Sequence, residues 1–126
     1  MELLIEISNK FEKDLKKFPS KERNLIVRKI NDYCKLFTDS PELFYRKVYK
    51  PCNIKLLNNY ESTLYVLRIN KDIRVILTAD EDPLFERFVI TLLHVVRRSS
   101  LEKTYKSIAE SLYQRNIQRI EKGEFL

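Results

Sequence analysis

The sequence predicts a single α+β domain over residues 1–126, in the order β-α-α-β-β-β-α: a small antiparallel sheet packed by an N-terminal helical hairpin and followed by a C-terminal helix. Three observations carry this. Apolar residues recur every three to four positions between 11 and 37 and again between 101 and 112, the period of an amphipathic helix. Between 63 and 96 the apolar residues are dense, β-branched or aromatic, and broken by short polar turns, the pattern of consecutive strands. Finally, 126 residues with 44% hydrophobic content suit one core, and no repeat, linker or low-complexity run divides the chain.

Taken in order, residues 3–7 read as a strand ending at Ser8-Asn9. Asn9 and Glu12 have capping-box spacing, and Phe11, Leu15 and Phe18 then share one helical face. Pro19-Ser20 stops this helix and starts a longer one, capped by Ser20, whose stripe is Ile26, Ile30, Tyr33 and Phe37. Thr38-Asp39-Ser40-Pro41 is a turn leading into a short helical turn through Phe44, and the pattern up to Cys52 gives no assignment. A short strand over 53–57 and a loop over 58–62 precede a strand over 63–69, a tight reversal at Asn70-Lys71-Asp72 and a strand over 73–78. The acidic stretch 80–83 reads as a solvated loop, and 85–96 as the last strand of an antiparallel meander. Arg97-Arg98-Ser99-Ser100 ends the sheet and caps a final helix with the stripe Leu101, Tyr105, Ile108 and Leu112. The helices are expected on one face of the sheet, with residues 113–126 as a polar helical extension.

Composition removes several function classes. The only glycine, Gly123, lies near the C-terminus, so glycine-rich phosphate loops and dinucleotide fingerprints are excluded. Cys34 and Cys52 form neither a Cys-x-x-Cys motif nor a Cys/His cluster, so no metal and no cofactor are expected. The opening Met-Glu-Leu-Leu-Ile-Glu carries acidic residues within its apolar run, and no apolar stretch approaches ~20 residues. The expectation is a soluble cytoplasmic protein without a membrane partner. His94 is the single histidine; strand alternation puts it on the face opposite Leu93 and Val95, where a satisfied sheet histidine is the simpler reading than a proton-transfer role.

The formal net charge is +6, and it is unevenly distributed. Residues 21–50 hold eight basic and four acidic side chains, whereas 79–96 hold one basic and four acidic. Arg68 and Arg74 flank the reversal and are expected opposite each other on one face, where they repel unless an acceptor lies between them. Arg97 and Arg98, just after the third strand of the meander, can converge on the same place. The structural alternative is that these arginines reach solvent or pair with Glu61, Asp72 or Glu86. Tyr105, one turn into the last helix, is open to two readings, a phenol facing the same concavity or a core aromatic.

Three segments together resemble the RelE/ParE superfamily of small toxins from bacterial type II toxin-antitoxin systems. They are the opening strand with Lys10-Phe11-Glu12-Lys13-Asp14-Leu15-Lys16-Lys17-Phe18-Pro19, the hairpin Leu64-Tyr65-Val66-Leu67-Arg68-Ile69-Asn70-Lys71-Asp72-Ile73-Arg74-Val75-Ile76-Leu77, and Leu93-His94-Val95-Val96-Arg97-Arg98 with Tyr105 beyond it. The resemblance spans residues 3–113 and implies a RelE-like fold. It implies a metal-independent endoribonuclease, an mRNA interferase that inhibits translation in the ribosomal A site with the RNA's own 2′-hydroxyl as nucleophile. Arg74 and Arg98 match the family's phosphate-stabilising arginines, Arg68 a basic position on the preceding strand, and Tyr105 the tyrosine that stacks on a base or assists proton transfer. Arg97, Lys71 and Lys55 are the further RNA-binding cations. A cognate antitoxin protein, the ribosome and mRNA are the implied partners. The superfamily's other branch inhibits DNA gyrase without nuclease activity, and a decayed toxin serving as a protein-binding module is a third reading.

Overall fold

In the computed structural model, which describes residues 2–51 and 62–122, the apolar opening segment forms strand β1 (Glu2–Ile7). Ser8 then adopts extended backbone angles and its hydroxyl accepts the Phe11 amide at 3.1 Å, so Ser8 rather than Asn9 caps helix α1 (Asn9–Lys16). The same hydroxyl donates to the Leu93 carbonyl at 3.0 Å and ties the helix start to the sheet. Helix α2 (Ser20–Asp39) starts directly after Pro19, with Ile26, Ile30, Cys34 and Phe37 buried. A third helix, α3 (Pro41–Tyr45), begins on Pro41, whose missing amide costs nothing there, and delivers Phe44 edge-on to Phe37 at 5.0 Å between centroids. Strand β2 (Val48–Tyr49) occupies the stretch without a sequence assignment, and the strand expected over 53–57 lies outside the described residues.

The meander forms as strands β3 (Leu64–Arg68), β4 (Ile73–Asp82) and β5 (Arg87–Arg97). The sheet order is β1-β5-β4-β3-β2, and β1 runs parallel to β5, so the sheet is mixed rather than antiparallel. A parallel neighbour needs a long crossover, and the helices with the rest of the meander supply it. The acidic stretch is likewise strand and not loop: Asp80, Glu81 and Asp82 pair with Val89, Phe88 and Arg87. Two of the carboxylates are satisfied locally, Asp80 by the Thr63 hydroxyl at 2.7 Å and Asp82 by Arg87 at 3.3 Å.

Both faces of the sheet are covered. On one, Phe11, Phe18, Ile26, Phe37 and Phe44 pack against Leu67, Ile73, Val75, Leu77, Ile90, Leu92 and Val95. On the other, Leu64, Val66 and Ile76 meet Leu101, Tyr105 and Ala109 of helix α4 (Leu101–Lys122). The helices therefore flank the sheet instead of sharing one face, because neighbouring residues such as Val66 with Leu67 and Val75 with Ile76 are all apolar and each parity needs cover. The buried stripe of α4 turns from Tyr105 to Ala109, which leaves Leu112 half-exposed.

One irregularity matters for function. Leu77 pairs with Leu92 but Ile76 pairs with His94, so Leu93 is an extra residue in β5, a β-bulge. The bulge shifts the alternation: Val95 follows Ile90 and Leu92 into the hairpin-side core, while Leu93 and His94 both face toward α4. The expected opposition of His94 and Leu93 is thereby overturned.

Candidate functional site

The turn between β3 and β4 is closed by the Ile69 amide donating to the Ile73 carbonyl at 3.0 Å. Inside it, Asn70 Oδ1 accepts the amides of Asp72 and Ile73, each at 2.8 Å, an Asx arrangement that holds the reversal in a single shape. This fixes the register, and Arg68 stands directly opposite Arg74. Both side chains emerge on the face shared with Val66 and Ile76.

Arg74 is buried, 7% exposed, and its Nη1 donates to the carbonyls of Asn70 and Ile73. Arg68 is exposed, and its Nε donates at 3.3 Å to the same Asn70 carbonyl. One backbone carbonyl thus lies between two guanidinium groups and offsets part of their repulsion, the acceptor that the pairing required. Arg98 joins them through its backbone: its amide donates to the Asp72 carbonyl at 2.6 Å, which pins the 3₁₀ turn Arg98–Ser100 to the hairpin. Arg98 and Lys71 are exposed at this end of the sheet.

Arg97 goes elsewhere. It forms a two-pronged pair with Glu22 at 2.6 and 2.9 Å, bonds Asp72 at 2.9 Å and lies over the Phe18 ring at 4.6 Å. The hydrogen bond from Arg97 holds the Glu22 carboxyl below its ordinary range. Arg97 is a clamp between α2 and the turn, on the hairpin side of the sheet, apart from Arg68 and Arg74. It also occupies Asp72, the acidic residue of the turn, so that carboxylate does not neutralise the other arginines.

Tyr105 is fully buried and its hydroxyl donates to the Leu64 carbonyl at 2.7 Å, which resolves its two readings in favour of the core. A phenol in this position cannot stack on an incoming base. Lys55 lies outside the described residues. The structure therefore brings together Arg68, Lys71, Arg74 and Arg98, and separates Arg97 and Tyr105 from them.

Two residues escape sequence reasoning. Asn70 organises the arginines through its carbonyl and the turn through its side chain, and the Asn-x-Asp reversal is a signal that identifies it. Asp14 is the other: its Oδ2 accepts from His94 Nδ1 at 2.6 Å and from the Val95 amide at 3.3 Å. Because a carboxylate only accepts, the imidazole proton resides on Nδ1. Eighty residues of chain separate this pair, and no local motif announces it.

Chemically, the turn cluster is a set of cationic donors of the kind that suits a phosphate. Among the described residues, no group of three or more His, Cys, Asp or Glu side chains is placed to hold a metal ion.

No protein-family model and no curated relative matches the chain. Among solved structures it is similar to a chain of the toxin-antitoxin complex RelBE2 from Mycobacterium tuberculosis, with 15% identity and a TM-score of 0.47 over 78% of this chain and 100% of that one. It is also similar to the YoeB/ParE toxin from Agrobacterium tumefaciens, with 15% identity and a TM-score of 0.49 over 78% of this chain and 99% of that one.

Proposed function

We infer that the chain is the toxin of a type II toxin-antitoxin pair and that it cleaves mRNA on the ribosome, held inactive by a cognate antitoxin. The observation that carries the reading is the register of Arg68 against Arg74 across the Asn70 turn, with Arg98 bonded to the same turn. Attack of an RNA 2′-hydroxyl on the adjacent phosphate forms the new O–P bond of a 2′,3′-cyclic phosphate and breaks the bond to the 5′-oxygen; water takes the proton of the nucleophile and returns one to the departing 5′-oxygen. Negative charge builds on the phosphoryl oxygens, and preorganised cations stabilise that charge more than the ground state. Arg74 is positioned by two carbonyls before any ligand arrives, whereas Arg68 and Arg98 are exposed. Loss of one such donor costs on the order of 10²–10³ in rate.

The test is expression without a partner from a tightly repressed promoter, with 5′ ends of mRNA mapped shortly after induction. New ends inside translated frames, absent in Arg74→Ala and Arg98→Ala at equal protein level, are the expected result. A second reading, non-enzymatic inhibition of DNA gyrase, is favoured by the burial of Tyr105 away from the arginines. Growth arrest without new mRNA ends establishes that reading in place of the first.

A further inference from the structure

Between the start of α1, the bulged half of β5 and the first turns of α4 lies a cleft of about 440 Å³. Its polar lining includes Lys10, His94, Lys103 and Ser107, and among the described residues that line it none is acidic. Leu93 and Ile108 form an apolar wall. The volume is within the range of small-molecule sites, and an apolar wall with a few convergent polar groups is their usual make-up.

The bulge and Asp14 together determine what His94 offers this cleft. Leu93, as the extra residue, turns the imidazole toward α4, and Asp14 fixes its proton on Nδ1. The other ring nitrogen, Nε2, is then an acceptor in the neutral ring and a donor in the imidazolium, and a hydroxyl group satisfies it in either form. An imidazole nitrogen placed among ammonium groups and hydroxyls suits a ligand that presents a hydroxyl to the histidine and an anion to the lysines. Lys10 and Lys103 are exposed, and neither forms an ion pair with a carboxylate among the described residues.

We propose that this cleft binds a ribonucleotide, with its phosphate on Lys10 and Lys103, a sugar hydroxyl hydrogen-bonded to His94 Nε2 and its base against Leu93 and Ile108. The 2′-hydroxyl is what distinguishes ribose from deoxyribose, so His94 is a specificity residue and Asp14 is its positioning residue. The site stands on α1, β5 and α4 alone and does not depend on the function of the arginine cluster.

Because His94 is the only histidine, its imidazole resonances are assigned without ambiguity, and titration followed by NMR tests the proposal. Adenosine 5′-monophosphate should shift those resonances saturably, and Lys103→Glu, an exposed substitution, should weaken binding at least about tenfold. The 2′-deoxy analogue should bind about three- to tenfold more weakly, the worth of one hydrogen bond. Asp14→Asn should erase that preference while leaving the affinity for the deoxy analogue within about twofold, an effect that general loosening of the fold does not produce. A pentaribonucleotide that binds more tightly than the mononucleotide identifies a strand as the source, and the reverse order identifies a free nucleotide. Equal affinity for the ribo and deoxy forms, inorganic phosphate binding as well as the nucleotide, or no saturable shift of His94 at millimolar ligand each overturns the proposal.

Discussion

Replacing Tyr105 by Phe separates a structural tyrosine from a catalytic one. The ring is fully buried, so Phe keeps the packing volume and opens no cavity. What it removes is the 2.7 Å bond to the Leu64 carbonyl, leaving a buried acceptor without this donor. That loss costs about 1–3 kcal/mol. For a domain of this size each kcal/mol corresponds to roughly 4 °C, so the thermal midpoint should fall by about 4–12 °C. Urea unfolding followed by circular dichroism should show a lower midpoint at unchanged slope, the sign of a stability change within the same two states. Tyr105→Ala should cost about 3–5 kcal/mol, since the ring goes too. Cleavage measured well below the midpoint should persist in Tyr105→Phe. Undiminished stability combined with lost cleavage would refute the core assignment and return the phenol to the reacting groups.

Three further outcomes follow from the same geometry. Asn70→Ala removes two turn bonds and should cost about 1–2 kcal/mol in urea unfolding, with cleavage falling further than stability because Arg74 and Arg68 both depend on this turn. Burial pushes the Cys34 thiol up to about 11, so in a Cys52→Ser background Cys34 should resist alkylation at pH 8, where about one thiol in a thousand is ionised, and react on unfolding. The unfolded thiol ionises first, near pH 8.5, so the contribution of the protonated folded form is complete below that and declines toward pH 11; Cys34→Val should remove this part of the pH dependence. Arg97→Gln should weaken the docking of α2 at low salt and little at 1 M salt, because its carboxylate partners are solvent-accessible. Glu22 has its folded value lowered, so the Arg97 contribution is present at neutral pH and lost as pH falls through the carboxylate range, which a comparison of melts at pH 7 and pH 3 checks.

The parts legible in the sequence are those set by short-range geometry. The opposition of Arg68 and Arg74 follows from a short turn between two alternating strands, and the stripes of α1 and α2 follow from helical period. The side of the sheet that α4 covers was not legible, because its stripe reveals that a face is buried but not against which parity. Yet the doubly apolar β3 and β4 carried that information, since a sheet hydrophobic on both faces needs two layers. The bulge at Leu93 was hidden for a related reason. Leu92, Leu93, Val95 and Val96 are apolar on either side of it, so a one-residue slip left no polar residue out of place except His94. Asp14 was out of reach because its partner is brought to it by the sheet and not by the chain.

The charge segregation seen along the chain becomes a polarity of the sheet. Strand β4 starts at the basic turn with Arg74 and ends at Asp80, Glu81 and Asp82, eight residues from Arg74 to Asp82 and therefore on the order of 25 Å apart. The basic end holds Arg68, Lys71, Arg74 and Arg98, while at the acidic end Asp82 pairs with Arg87. Such a separation exceeds the Debye length of about 8 Å at physiological salt, so an approaching polyanion feels the near end and little of the far one. The molecule would thus be oriented with its arginine turn leading, and the acidic tip would be held away. Orientation of this kind acts on the association rate, so it distinguishes two roles among the turn's cations: Lys71→Glu, exposed and in the turn, should slow binding to RNA in a salt-dependent way, whereas Arg74→Ala should change the bound state. Stopped-flow association at two ionic strengths measures the difference, and a salt-independent effect of Lys71→Glu would show that the turn acts by contact alone.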